Sequence, residues 1–169
     1  MNPAIRHVLS RKPICTQVEA FAEIAEDLTD REFWRLAGHI WAGPYFTKTA
    51  VYYYAALWHQ IFQSQRAYRS HFTRNPADRL RWEHLGDLIS CYRGYGRNNP
   101  IGADGIFYTL NYDIAEIHAN AHCSLGEGWR IDGHVLFKTD CLFYGDTGEE
   151  VIHVPSLLLS SYACVNKTG

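Results

Sequence analysis

AEIHANAHCSLGEGWRIDGHVLFKTDCLFY, residues 115–144, is the stretch whose reading decides the fold. Ala115, Ile117, Ala119, Ala121, Cys123 and Leu125 alternate with Glu116, His118, Asn120, His122 and Ser124, the period-2 pattern of a strand with one buried face. Gly126-Glu127-Gly128 supplies residues suited to a three-residue hairpin loop, and Trp129, Ile131, Val135, Phe137 and Cys141 resume the alternation. The pattern predicts one long β-hairpin with Leu125 facing Trp129. Cys123 then faces Ile131, Ala119 faces Val135 and Ile117 faces Phe137. On the polar side His122 meets Asp132, Asn120 meets His134 and Glu116 meets Lys138. A slip of one residue would mix the two faces.

Outward from the hairpin, the order of elements is α+β: N-terminal helices packed on a C-terminal antiparallel sheet built around the hairpin. With 169 residues, 47% hydrophobic and 14% aromatic, the chain is read as one domain over 1–169, mainly helical over 1–95 and mainly β over 106–165. Val18, Phe21, Ala22, Ala25 and Leu28 lie on one face of a first helix. Thr29-Asp30-Arg31-Glu32 is a capping box that opens a helix with Phe33, Leu36, Ala37, Ile40 and Trp41 inward. Helical spacing returns over Thr49 to Ser64. Asn75-Pro76 starts a further helix that carries Leu80, Leu85, Leu88 and Ile89. Arg93 to Gly105 reads as glycine-rich loop without a phosphate-cradle motif. Ile106 to Tyr112, Val151 to Val154 and Leu157 to Val165 read as strands, with a bulge near Tyr112-Asp113 where the apolar parity changes.

The net charge of −2 and pI near 6.5 give no general electrostatic case for nucleic acid or anionic membrane. The arginines from Arg66 to Arg97, interleaved with aromatics, read as a solvated helix face and loop. No run approaches the ~20 apolar residues of a membrane span, and Met1 to Lys12 lacks the apolar core of a secretion signal. Five widely spaced cysteines without a CxxC pair fit neither a zinc knuckle nor a disulfide framework, so synthesis in a reducing cytosol is expected.

Chemistry concentrates in two places. The first is the histidine row His118, His122 and His134, where His134 lies between the other two across the hairpin and Asp132 or Glu116 could complete an imidazole–carboxylate metal site. The second is the far end of the hairpin, where Asp140, Tyr144, Asp146, Glu149, Glu150 and His153 fall close together. Carboxylates beside a histidine can hold Mg²⁺ and activate water for attack on phosphorus, the imidazole moving the proton.

The segment S124-LGEG-W129-RID-G133-HVLFKT-D140 resembles the hairpin of colicin M-type bacteriocins, and LAGHIWAG (Leu36 to Gly43) is similar to a helical His-x-x-Trp-Gly segment of that family. The resemblance implies a toxin or effector domain that hydrolyses a lipid-linked pyrophosphate, the peptidoglycan precursor lipid II, with Mg²⁺ in the periplasm of a target cell. A cognate immunity or delivery protein would accompany it. It also implies Asp140, Tyr144, Asp146 and His153 as catalytic residues, with Asp140 and Asp146 on the metal. Val154 stands where the family carries an arginine after the histidine. Two other readings remain open. One is a non-catalytic interaction protein anchored by Trp34, Trp41, Trp58 and Tyr52 to Tyr54. The other is an enzyme built on the histidine row.

Overall fold

The computed structural model describes residues 2–11, 16–43, 54–97, 105–121, 128–145 and 150–156. The helices are α1 (Pro3–Ser10), α2 (Gln17–Ile24), α3 (Asp30–Trp41), α4 (Ala55–Phe62), α5 (Pro76–His84) and α6 (Tyr112–Ala121). The strands are β1 (Leu88–Gly96), β2 (Phe107–Thr109), β3 (Trp129–Phe137), β4 (Cys141–Gly145) and β5 (Glu150–His153). They form one antiparallel sheet in the order β3-β1-β2-β5-β4. The class is α+β, with most of the helices N-terminal.

In α3 the capping box forms as the sequence predicts: Thr29 Oγ1 accepts from Glu32 N–H (3.3 Å) and Thr29 N–H donates to Glu32 Oε2 (3.1 Å). The inward residues Phe33, Leu36, Ala37, Ile40 and Trp41 are all buried, together with Trp34. Trp41 meets Trp58 edge to face (5.0 Å, 88°), and Phe62 and Phe72 close the group. The tryptophans offered as anchors in the interaction reading belong to the core. Tyr52 and Tyr53 lie outside the described residues, and Tyr54 packs partly buried against this core. Arg66, read as part of a solvated face, instead donates to Leu28 O (2.7 Å) and Ala25 O (2.9 Å) at the α2–α3 corner.

The larger correction concerns the hairpin. Residues 112–121 are helix, not strand, and β3 pairs with β1: Leu88 with Phe137, Cys91 with His134 and Gly96 with Trp129. The alternation that suggested a strand also contains an i, i+4 pair, Ala115 and Ala119, and alanine favours helix over strand. Asn111 caps the helix, its Oδ1 accepting from Asp113 N–H (2.9 Å). Ala115 and Ala119 are fully buried on β1, where Gly94 lets the backbones meet. A Cβ at Gly94 would stand 1.8 Å from Ala115 O. The helix start at Tyr112 also accounts for the parity change read as a bulge.

Leu88 to Gly96 is the strand the sequence reading assigned to the end of a helix and a loop; α5 ends at His84. The predicted strands at Ile106 and Val151 are present as β2 and β5, whereas Leu157 to Val165 lies outside the described residues.

Register assigns the sheet faces, because partners across an antiparallel ladder share a side. Phe107, Ile152 and Leu142 point to the N-terminal helical layer and join its core. On the opposite face Tyr108, Val151, Phe143, Cys141 and Cys91 form a second cluster with Trp82 of α5, which stacks on Phe143 at 5.1 Å and 12°. Helix α6 covers β1 on the face of Tyr92 and Gly94.

Candidate functional site

The second face changes from apolar to polar across the sheet. Near Trp82, Ile89 and Leu136 continue the apolar cluster; beyond Cys91 come Arg93, Tyr95, Asp132, His134, Tyr108 and His153. The small Cys91 side chain lets His134 reach across β1 to Tyr108. The two rings meet edge to face at 5.0 Å, and His153 approaches the same tyrosine from β5 at 6.1 Å. The Arg93 guanidinium sits 5.8 Å from the Tyr108 ring centre and donates to Phe107 O (2.6 Å). It occupies the space that a side chain at Gly105 would fill. One buried tyrosine thus gathers two imidazoles and a cation.

His153 is the most chemically poised of these groups. Its Nδ1 lies 2.7 Å from Ser156 Oγ. Burial holds the imidazole below its ordinary value near 6.5; the Asp140 charge pulls the other way, and His134 adds to the lowering. Asp140 is brought there by the 3₁₀ turn Lys138–Asp140, whose end is tied to β5 by Val154 N–H donating to Asp140 O (2.9 Å). From the other side Arg69 projects from the 3₁₀ turn Arg69–Phe72. Burial lowers its pKa, while the Cys141 thiol and the Asp140 carboxylate act to raise it. An arginine in that setting stays protonated. At the ends of β4 and β5 the Asp140 charge thus acts on both His153 and Arg69.

Three neighbouring groups are structural. Asp132 accepts from Tyr95 Oη (2.6 Å) and Arg130 Nε (2.7 Å), and the tyrosine hydrogen bond first, then the arginine, holds its carboxyl below the usual range. The Cys91 and Cys141 thiols are pushed up to about 12 by burial and carry no thiolate at neutral pH.

The sequence candidates are redistributed accordingly. Asp140 and His153 come together, and His134, named for the other site, joins them. Tyr144 does not: its ring packs toward Phe72 (6.4 Å) and lines a separate cavity of about 430 Å³ with Arg74, Asn75 and Asp78. His118 sits on the exposed side of α6, on the helix that covers the opposite sheet face, so it cannot join His134 as the hairpin register required. Asp146 and His122 lie outside the described residues. Among the described residues no three His, Cys, Asp or Glu side chains are grouped to hold a metal ion.

Sequence reasoning missed Arg69, Arg93, Tyr108 and Ser156. The signal for Ser156 was its three-residue spacing from His153. The arginines and Tyr108 enter only through the pairing of β1 with β2 and the packing of the 69–72 turn. Comparison of the chain with protein-family models, with curated proteins and with solved structures returns no match.

Proposed function

We propose that the protein is an enzyme that cleaves or transfers at a pyrophosphate-bearing substrate, with His153 as general base. The observation that carries this reading is the setting of His153: an imidazole kept neutral by burial, held by Ser156 and beside Asp140, whose charge also acts on the Arg69 guanidinium. In the tautomer the reading requires, Nδ1–H donates to Ser156 Oγ and Nε2 is left with its lone pair. Nε2 then takes the proton of the attacking oxygen as that oxygen bonds to phosphorus and the P–O bond to the leaving group breaks, the leaving oxygen keeping the electron pair, while the arginine offsets charge on the phosphate oxygens. Asp140 steadies the imidazolium that results. Arg69 supplies from the 69–72 turn the cation that Val154 does not.

The support comes from this cluster, not from the hairpin. The lipid-linked pyrophosphate of a peptidoglycan precursor, hydrolysed in a target periplasm by a delivered toxin, is the finer form of the proposal. A soluble nucleotide pyrophosphate shares the same chemistry. The described part of the site offers one carboxylate, Asp140, and does not assemble a Mg²⁺ shell, so no step is routed through a metal.

The test is a turnover assay of the full chain on undecaprenyl-pyrophosphate-linked precursor and on a panel of dinucleotides and nucleoside diphosphates, with and without Mg²⁺. His153→Gln is expected to lower kcat/KM by about 100-fold or more on whichever substrate is used. Tyr144→Phe, remote from the cluster, is expected to leave it unchanged. Wild-type protein that neither turns over nor binds any pyrophosphate compound in the panel sinks the reading. So does a fully active His153→Gln protein.

A further inference from the structure

β3 is the outer strand of the sheet, and no described strand occupies its free side. Two flanking bonds fix which of its backbone groups face outward: Arg97 N–H donates to Gly128 O (2.8 Å) and Lys138 N–H donates to Asp87 O (2.8 Å). In an antiparallel ladder hydrogen-bonded and non-bonded pairs alternate. The even-numbered residues of β3 therefore bond to β1. Trp129, Ile131, Gly133, Val135 and Phe137 direct N–H and C=O toward the open edge.

The side chains of the same five residues share the apolar face on which α6 packs, and the part of it toward Val135 and Phe137 stays exposed. Val135 is 65% exposed, Phe137 62%, its cross-strand partner Leu88 58% and Trp129 39%. Long exposed edges are ordinarily blunted by charge. Here Arg130 and Asp132 lie on the other face, so no charged side chain of β3 projects from the apolar face.

We propose that this edge pairs with β3 of a second copy of the chain about a two-fold axis through Gly133. The sequence of β3 is self-complementary in that register. Gly133 meets its own counterpart, Ile131 meets the partner's Val135, and Trp129 meets the partner's Phe137, so every apolar residue of this face meets another. All of these are residues with outward backbone groups, so each pair exchanges two hydrogen bonds. On the other face the register sets Asp132 across from the partner's His134 and Arg130 across from the partner's Leu136: acid opposite imidazole, with no like charges opposed. Shifting the register by two residues in either direction leaves an apolar residue unpaired at one end. The two sheets join into one, and each copy lends a carboxylate to the edge of the other's histidine cluster. This inference rests on the β3 edge alone and stands or falls independently of the pyrophosphate reading.

The experiment is sedimentation equilibrium of the full chain. A mass twice the 19.4 kDa of the chain is expected. Val135→Lys is expected to weaken the dimer about tenfold or more, since the change enters the interface twice. Val135→Pro is expected to give a folded monomer, because that N–H points away from β1 and its loss breaks no bond among the described residues. Gly133→Cys reads the axis directly. A Cβ there meets nothing nearer than the Tyr92 ring at 3.9 Å, and paired Cα atoms at ~5.5 Å suit a disulfide. Mild oxidation of that variant should give a covalent dimer, with mass spectrometry locating the cross-link at position 133 of both copies. A wild-type monomer at concentrations up to about 100 µM overturns the proposal. A dimer that survives Val135→Pro and forms no cross-link at position 133 overturns it equally.

Discussion

In the helical layer Trp34, Trp58, Phe62 and Phe72 are completely enclosed, and each of these rings meets another within 5.4 Å. In the wing formed by β1, β3 and α6 the large apolar residues Leu88, Val135 and Phe137 stay more than half exposed, and the helix is seated through alanines on a glycine. The first region draws its stability from aromatic volume, the second from close backbone approach. Mutations that remove volume should therefore damage the first, and mutations that add a single methyl should damage the second.

The largest effect is expected for Trp58→Ala. Trp58 is fully buried between Trp41 and Phe62, and deletion of a ring in such a place costs about 3–5 kcal/mol. Chemical denaturation would show it as a lowered midpoint, with loss of folding altogether if the domain is marginal. A variant within about 1 kcal/mol of wild type would show that the helical core is not packed as described.

Next comes Gly94→Ala. The added Cβ would fall 1.8 Å from Ala115 O and 2.9 Å from the Ala119 side chain, so α6 must lift from β1. Overpacking of this kind costs about 1–3 kcal/mol. Hydrogen exchange offers a sharper readout than overall stability: amides of 112–121 should lose protection while those of α3 keep it. Uniform loss across the chain would mean that the wing and the helical layer unfold as one unit, and the contrast drawn between them would not hold.

The same contrast explains what could be read from the residues. Helix α3 was legible because its signals are local: Thr29 and Glu32 cap each other, and the apolar spacing has one interpretation. Residues 115–121 carried two periods at once. The choice between them was made by Gly94, which lies at a distance in sequence and removes the Cβ that would have kept a helix away. β1 was obscured for the same reason, since Arg93, Gly94 and Gly96 look like loop until β3 and α6 are placed against them. The site divides along this line. Asp140 and His153 could be named from residue type and proximity in the chain. Their cation, Arg69, and the tyrosine that gathers the imidazoles, Tyr108, required the tertiary arrangement.

A smaller effect is expected for Thr29→Ala, which removes the acceptor for Glu32 N–H and the partner of the Glu32 carboxylate. A cap of this type contributes about 1 kcal/mol. Because α3 is the helix on which the aromatic core is built, the loss should appear in global stability, and exchange in α6 should follow only in proportion. Selective loosening of α6 would place the Thr29 cap in the wrong region.

The smallest effect is the dependence on pH, which touches the helical layer and, outside the wing, strand β5. Burial holds His39 and His71 in the helical part and His153 in the sheet below the ordinary imidazole value of 6.5. The neutral form is thus favoured by the folded state. As pH falls through 6.5 the unfolded chain takes up protons before the folded one does, and stability declines until the folded imidazoles also protonate, after which it levels. Above 6.5 the contribution of these three histidines to the slope is gone. All three rings keep some access to solvent, so the decline should be shallow. Titration by NMR should find each of the three midpoints below 6.5. The His153→Gln protein should lose only the portion of the slope that belongs to the sheet, retaining that of His39 and His71. A His153 midpoint above 6.5 would mean that the Asp140 charge outweighs burial, making His153 an imidazolium at neutral pH and unfit to act as a base.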